Sequence, residues 1–387
     1  MTEWKTYTLK ELSKGRGEYG IGAPAVPFDK EKYTYLRITD INDDGTLNTS
    51  GMMSVDADDA EEYILEKNDI VFARTGNSTG RSYFYDGRDG ELVYAGFLIR
   101  FRLDETKVNP KILKYYTHSK PYYDWVKSFD TGGTRGNINA KTYGDMPIYL
   151  PPRHIQDRIV GILGAIDDKI ENNRRINTNL ELQAQALFDK IFFDDNDVER
   201  NPLSDYADIN PTRTLRQGVV ARYIEMANLP TRGSFPSDWS YKSYGGGCKF
   251  ANGDTIMARI TPCLENGKTA YIDFLEEQEV AFGSTEYIVI SAKNGYCPAL
   301  FYFLARNKEF VDYAVGHMNG SSGRQRVSGA DIATFPMPHI TLEESNKFAE
   351  IAMPIMDVIR NNSLENRHLT TLRDTLLPKL MNGEIKL

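Results

Sequence analysis

Cysteine is scarce: Cys248, Cys263 and Cys297 are scattered and odd in number along 387 residues. That argues against a disulfide framework and against a Cys-rich zinc site. The five histidines are equally dispersed, so no metal spacing appears, and neither a metal nor a cofactor is expected. No apolar run approaches the length needed to span a bilayer, and Met1-Thr2-Glu3-Trp4-Lys5 has no signal-peptide pattern; the expected location is cytoplasmic. Positive charge is also short, with a net charge of −8. Neutralising phosphates needs Lys and Arg, so this balance counts against nucleic-acid binding unless local loops are basic or partners supply the contacts. Apolar residues, at 41 %, and aromatics, at 11 %, provide ample material for packed cores, and the length suits two or three domains.

The chain repeats itself. Tyr35 to Ile41 resembles Tyr223 to Leu229, Asn68 to Arg74 resembles Gly253 to Arg259, and Gly80-Arg81-Ser82 resembles Gly267-Lys268-Thr269. Thr134-Arg135 falls beside Gly323-Arg324, and Pro147 beside Pro336. The members of each pair lie about 187 residues apart and keep the same order, the mark of a tandem duplication with small loop insertions. Short β-rich runs such as Asp69 to Phe72 and Tyr287 to Ile290 read as strands; Pro110 to Lys127 and Cys297 to Val315 have helical spacing. Each half therefore opens with an α+β domain.

Each half closes with a long helix. After Pro151-Pro152 a stripe runs Ile159, Ile162, Ile166, Ile170, Asn173, Ile176, Leu180, Ala184, Leu187, in steps of three or four that place it on one helical face. The second half has Phe348, Ile351, Ile355, Ile359, Asn362, Leu369 and Leu376. The matching register, with Asn173 and Asn362 at equivalent points, favours two helices packed on each other through Ile159, Ile166, Asn173, Leu180, Ile355, Asn362 and Leu369. Pro354 is awkward inside a helix and Pro378 reads as a stop. The expected organisation is a globular domain at 1–150, a helix at 151–198, a second domain at 199–339 and a second helix at 340–387.

No catalytic constellation is visible. Asn210-Pro211-Thr212 lacks the second proline and the aromatic of an adenine methyltransferase motif. Gly267-Lys268-Thr269 mimics the end of a phosphate loop, but Pro262 stands where its first glycine belongs. Asp167 and Asp168 are adjacent acids that point to different helix faces and are expected to be solvated surface.

The run Leu150-Pro151-Pro152, Ile155-Gln156, Ile159, Leu163, Ile166-Asp167 and Ile170 resembles the central region of type I restriction-modification specificity subunits. The tail from Leu372 to Ile385 resembles their C-terminal region. Glu3-Trp4-Lys5 with Leu9, and Pro202-Leu203 with Asp205, resemble the openings of their two target-recognition domains. One departure is His339-Ile340-Thr341, where the first repeat has Leu-Pro-Pro. The resemblance implies two recognition domains joined by two long antiparallel coiled-coil helices with pseudo-twofold symmetry. It further implies a bipartite, asymmetric double-stranded DNA target, docking of two methyltransferase subunits and of restriction subunits, and no chemistry in the chain itself. About 36 helical residues at ~1.5 Å each span roughly 54 Å, enough to separate two readers by at least one DNA turn.

Four loops contain Arg or Lys, many small polar residues and no carboxylate: Ala73 to Tyr85, Thr131 to Gly144, Ala258 to Leu264 and Gly316 to Gly329. Arg can pair with guanine or phosphate, and Asn or Gln with adenine. The candidate DNA contacts are Arg74, Asn77, Ser78, Thr79, Arg81 and Arg135 in the first half, and Arg259, Lys268, Arg324, Gln325 and Arg326 in the second. Two other classes stay open. The acidic balance favours a coiled-coil scaffold with two protein-binding heads, which the acid-free loops disfavour. The other is a solitary enzyme with an unfamiliar site.

Overall fold

The computed structural model describes residues 4–49, 51–129, 136–194, 197–293, 295–321 and 323–387. The chain forms two compact units, one of residues 1–168 with 370–387, the other of residues 169–369. The fold is α+β, and each unit repeats the plan of the other.

The first unit begins with β1 (Lys5–Thr8), β2 (Glu18–Tyr19), β3 (Ala25–Val26), β4 (Tyr33–Leu36) and β5 (Met53–Val55). It continues with β6 (Asp69–Ala73), β7 (Ser82–Phe84), β8 (Leu92–Tyr94), β9 (Leu98–Arg102), α1 (Lys111–Tyr116), α2 (Lys120–Lys127), α3 (Ala140–Gly144) and β10 (Pro147–Leu150). One sheet has the order β2-β9-β6-β7 and another β3-β5-β4-β8, while β1 pairs with β10. Every residue of β6 is buried, which explains its unbroken apolar reading: a strand covered on both faces shows no alternation. Phe72 packs against Phe101, Tyr122 and Tyr143.

The helix α4 (Arg153–Phe192) then runs from the first unit into the second, where β11 (Arg200–Pro202), β12 (Ala207–Ile209), β13 (Val220–Ile224), β14 (Ser240–Ser243) and β15 (Lys249–Phe250) follow. Next come β16 (Asp254–Ala258), β17 (Thr269–Tyr271), β18 (Ala281–Gly283), β19 (Tyr287–Ala292), α5 (Pro298–Arg306), α6 (Lys308–Gly316), α7 (Gly329–Ala333), β20 (Pro336–Pro338) and α8 (Leu342–Met381). The sheets are β12-β19-β16-β17 and β14-β13-β18-β15, with β11 on β20. The first of these matches β2-β9-β6-β7 strand for strand. The parallel pair β13–β18 matches β4–β8. The repeats differ at one edge, where β3 joins β5 but β15 joins β18. Each central strand opens on a buried aspartate, Asp69 or Asp254, whose carboxylate accepts a turn N–H, from Glu66 or Ala251. Burial pushes the Asp69 carboxyl up to about 6.

The long helices pair in antiparallel fashion. Within the second unit Lys169 meets Glu365 at 3.0 Å, Asn173 donates to Glu365 and Asn366, and Asn362 donates to Asn177 at 2.8 Å. Further along, Phe188 and Phe192 pack on Phe348. Numbers rise on α4 as they fall on α8. Asn173 is 1 % exposed and its amide nitrogen donates twice; Asn362 is half-buried and bonds Asn177 rather than Asn173. Ile159, Ile166, Ile170, Ala184 and Ile359 are buried, and Leu180, Ile355 and Leu369 half-buried.

Several sequence expectations need correction. Ile162, Ile176 and Ile351 are 37 %, 42 % and 48 % exposed; Leu163 and Ala352 are buried beside two of them, because runs of adjacent apolar residues make stripe assignment ambiguous. Pro378 does not stop α8, which runs on to Met381, and Asn382 N–H donates to the Pro378 carbonyl. Pro354 lies on an exposed face, where water can satisfy the carbonyl that loses its N–H partner. The unusual start of α8 is a capping box. Thr341 Oγ1 accepts from Glu344 N–H at 3.2 Å and Glu344 accepts from Thr341 N–H at 2.9 Å.

Asp167 is not solvated surface. It accepts from Lys114 at 2.8 Å, Tyr115 at 3.0 Å and Arg373 at 3.3 Å, whereas Asp168 faces out and bonds Arg88. Burial pushes the Asp167 carboxyl up, but Lys114, Arg373 and Tyr115 together outweigh it and hold the group below its ordinary value. A depressed folded pKa contributes stability above the unfolded value of about 4 and loses it as pH falls through the folded value. Asp167→Asn is expected to cost about 1–3 kcal/mol at neutral pH, discounted because Lys114 remains 40 % exposed. Melting curves from pH 7 down to about 3 should show the gap from the parent protein closing in acid; a gap of constant size would refute the assignment.

Candidate nucleic-acid interface

The two repeats build the same loop frame around one arginine. In the first unit Arg74 directly follows β6; its N–H donates to the Phe97 carbonyl at 3.0 Å and its carbonyl accepts from Ile138 N–H at 2.9 Å. In the second, Arg259 directly follows β16; its N–H donates to the Glu286 carbonyl at 3.0 Å and its carbonyl accepts from Val327 N–H at 3.0 Å. The turn that closes behind each arginine is also shared: Ala73 N–H donates to the Arg81 carbonyl, and Ala258 N–H to the Lys268 carbonyl. Thr75 bridges Asn137 as Ile260 bridges Arg326. Three chain segments thus converge at the end of each central strand, and Asn139 or Ser328 caps the helix that leaves. Both arginines hold a buried Nε with no protein partner among the described residues.

Residues 1–182 match the family described as the type I restriction modification DNA specificity domain. The chain is 22 % identical to the type I restriction enzyme HindI specificity subunit of Haemophilus influenzae, covering 100 % of both. It is 23 % identical to the type I restriction enzyme MjaIX specificity subunit of Methanocaldococcus jannaschii, over 71 % of this chain and 68 % of that one. The fold is similar to the crystal structure of a type I restriction-modification system S subunit from M. genitalium, with TM-score 0.59, 16 % identity and coverage of 98 % of this chain and 96 % of that one. Over residues 1–182 the chain is similar to the type I DNA specificity domain, and over its whole length to a specificity subunit of that class.

The candidate residues of this chain fall into distinct settings. Arg74 lies over the Tyr19 ring, 5.0 Å from its centre. Asn77 is exposed, Ser78 is buried, and Thr79 Oγ1 donates to the Gly76 and Gly136 carbonyls, tying two loops together. Arg81 donates to Asp43 at 2.7 Å and to the Ile41 carbonyl at 3.0 Å. Arg135 lies outside the described residues. Lys268 donates to the Met226 carbonyl at 2.7 Å. Arg324 is exposed and its side chain has no partner among the described residues; Gln325 is half-exposed. Arg326 is clasped by Glu286, with Nε at 2.9 Å and Nη2 at 2.7 Å from its oxygens; the hydrogen bond to Arg326 holds the Glu286 carboxyl below its ordinary value.

The loops are acid-free along the chain but not in space, since Asp43 and Glu286 arrive from other segments. Sequence reasoning missed them, and missed Tyr19 and Phe97, because their place depends on strand pairing. Phe97 is 58 % exposed; its repeat offset from Glu286 is the one signal that could have marked it. Tyr83 and Tyr143 are buried, donating to Asp89 and the Ala73 carbonyl. Among the described residues no three metal-capable side chains gather, and no helix is long and apolar enough to cross a membrane.

Proposed function

We propose that this chain is the non-catalytic reader of a type I restriction-modification complex in the cytoplasm. Its two recognition domains bind the halves of a bipartite, asymmetric double-stranded DNA target, and its helices dock two methyltransferase subunits, with restriction subunits completing the assembly. The observation that carries this reading is the repeated loop frame: equivalent arginines, Arg74 and Arg259, stand at the centre of equivalent polar loops in two duplicated domains. Paired readers of one design suit a two-part target, as twofold operator-binding dimers suit two half-sites.

The test uses the full chain alone and with its methyltransferase partner. The complex should bind DNA with an affinity that falls as salt rises and should transfer methyl groups from S-adenosylmethionine to adenine at one bipartite sequence. The chain alone should transfer none. In the complex, Arg324→Ala should weaken binding to all sequences and reduce the salt slope by about one. Robust methyl transfer by the isolated chain would overturn the non-catalytic role. Absence of DNA binding by the complex would favour a protein-binding scaffold.

A further inference from the structure

The frame around Arg74 and Arg259 is common to both repeats, yet the side chains flanking it differ at two positions. The turn between β8 and β9 supplies Phe97, and the equivalent turn between β18 and β19 supplies Glu286; each gives its carbonyl to the central arginine. The incoming loop supplies Asn137 in one repeat and Arg326 in the other, both in the same bridge position. We propose that these are equivalent base-pair readers, Phe97 with Asn137 matched to an A·T pair and Glu286 with Arg326 to a G·C pair, Arg326 meeting the guanine. This rests on the DNA-reading function proposed above.

Hydrogen-bond accounting supports the second pair. A guanidinium has five N–H groups. Glu286 takes those on Nε and on one side of Nη2, and the Arg324 carbonyl takes one on Nη1 at 2.9 Å. One N–H remains on each terminal nitrogen. Two terminal nitrogens with one N–H free on each can serve guanine O6 and N7, the bidentate contact that distinguishes guanine in the major groove. The side chain is 38 % exposed, so the remaining fork is within reach of a ligand. Glu286 is a positioning residue here: it holds the plane of Arg326 and removes the option of a wandering phosphate contact.

The first pair has opposite chemistry. Phe97 is largely exposed, and beside it the Arg74 guanidinium covers the half-exposed Tyr19 ring. Asn137 is exposed and its side chain has no partner among the described residues. An amide matches adenine N6 and N7, and an apolar ring matches the thymine methyl. A carboxylate at position 97 would have nothing cationic at position 137 to hold; the two positions differ together.

The experiment uses the complete chain with its methyltransferase partner and duplexes carrying 7-deazaguanine, which lacks N7, at each guanine of the target in turn. One guanine should be sensitive, with affinity falling roughly 5- to 150-fold, and Arg326→Ala should abolish that sensitivity. Glu286→Ala should reduce discrimination at the same guanine while raising affinity for random DNA, because a carboxylate leaves the surface. A purely structural ion pair would lower stability and leave discrimination intact. Uracil in place of thymine should weaken the parent complex at one position and leave Phe97→Ala unaffected. Should Glu286→Ala fail to fold, the deazaguanine scan of the parent complex still decides. Specific binding with no sensitive guanine, or a target whose sensitivity survives Arg326→Ala, overturns this inference alone. Absence of any sequence-specific binding overturns the proposed function as well.

Discussion

A fragment ending at residue 198 is expected to be a dimer and, with methyltransferase subunits, to direct modification to an interrupted palindrome. In the intact chain the first unit's core includes Leu377, Leu380 and Met381 from the end of α8, packed with Ile155, Ile159 and Leu163 at the start of α4. Truncation removes that cover and bares an apolar seam, which seeks a partner. A second copy can supply one. At the repeat offset, Leu377 and Met381 correspond to Phe188 and Phe192, and the antiparallel pairing that α4 makes with α8 is available to α4 with itself. True twofold symmetry then replaces internal pseudo-symmetry, and two identical readers face the DNA in opposite senses. Light scattering should give twice the fragment mass, and mapping of modified adenines should give one half-site repeated in inverted orientation. A folded monomer would refute the swap; a dimer that modifies asymmetric sites would refute the assignment of one half-site to one domain.

Removal of the Arg306 side chain should be the most damaging single substitution in the second unit. Its Nη1 donates to the Thr231 and Gly267 carbonyls at 2.7 Å each, its Nη2 to Gly233 at 2.7 Å and Thr269 at 3.3 Å, and its Nε to Tyr302. Tyr302 in turn donates to Glu181 on α4. One guanidinium therefore joins two loops to a half-buried acid whose carboxyl is pushed up by desolvation and pulled back by Tyr302 and Arg306. Arg306→Ala leaves four carbonyls without their donor and takes the nearby positive charge from Glu181, at a cost of roughly 3–5 kcal/mol. Arg306→Lys should recover little, since one ammonium cannot reproduce a planar fork. Hydrogen exchange should quicken at 231–233 and 267–269, and the melting midpoint should drop by about 10 °C. A midpoint within about 1 °C of the parent would show that the loops hold without it.

What could be read from the sequence was whatever local order carries. β6 and β19 declared themselves as short apolar runs, and the repeat declared itself through preserved order. The long helices were visible because their spacing is local. Pro110 to Lys127 and Cys297 to Val315 read as helical, but each is two helices, α1 with α2 and α5 with α6, parted where Ser119 and Asn307 begin the second. The candidate site was legible only by half. Arg74 and Arg259 could be found from their place after a strand. The partners that give Arg81, Arg326 and Asp167 their settings lie 38, 40 and 53 positions away, and no run of neighbouring letters announces such meetings. A loop without acids in its own stretch is not a loop without acids around it.

The pre-pairing of loop cations has a kinetic side. Asp43 occupies Arg81 and Glu286 occupies Arg326, so few cations remain to grip whatever phosphate passes. On the DNA-reading proposal, random sequence is held briefly, and a visit lengthens only where a base edge accepts the fork that Glu286 leaves open. The reader then sorts sites by how long it stays rather than by how often it lands, and an acidic chain becomes a fast searcher that relies on its partners for grip.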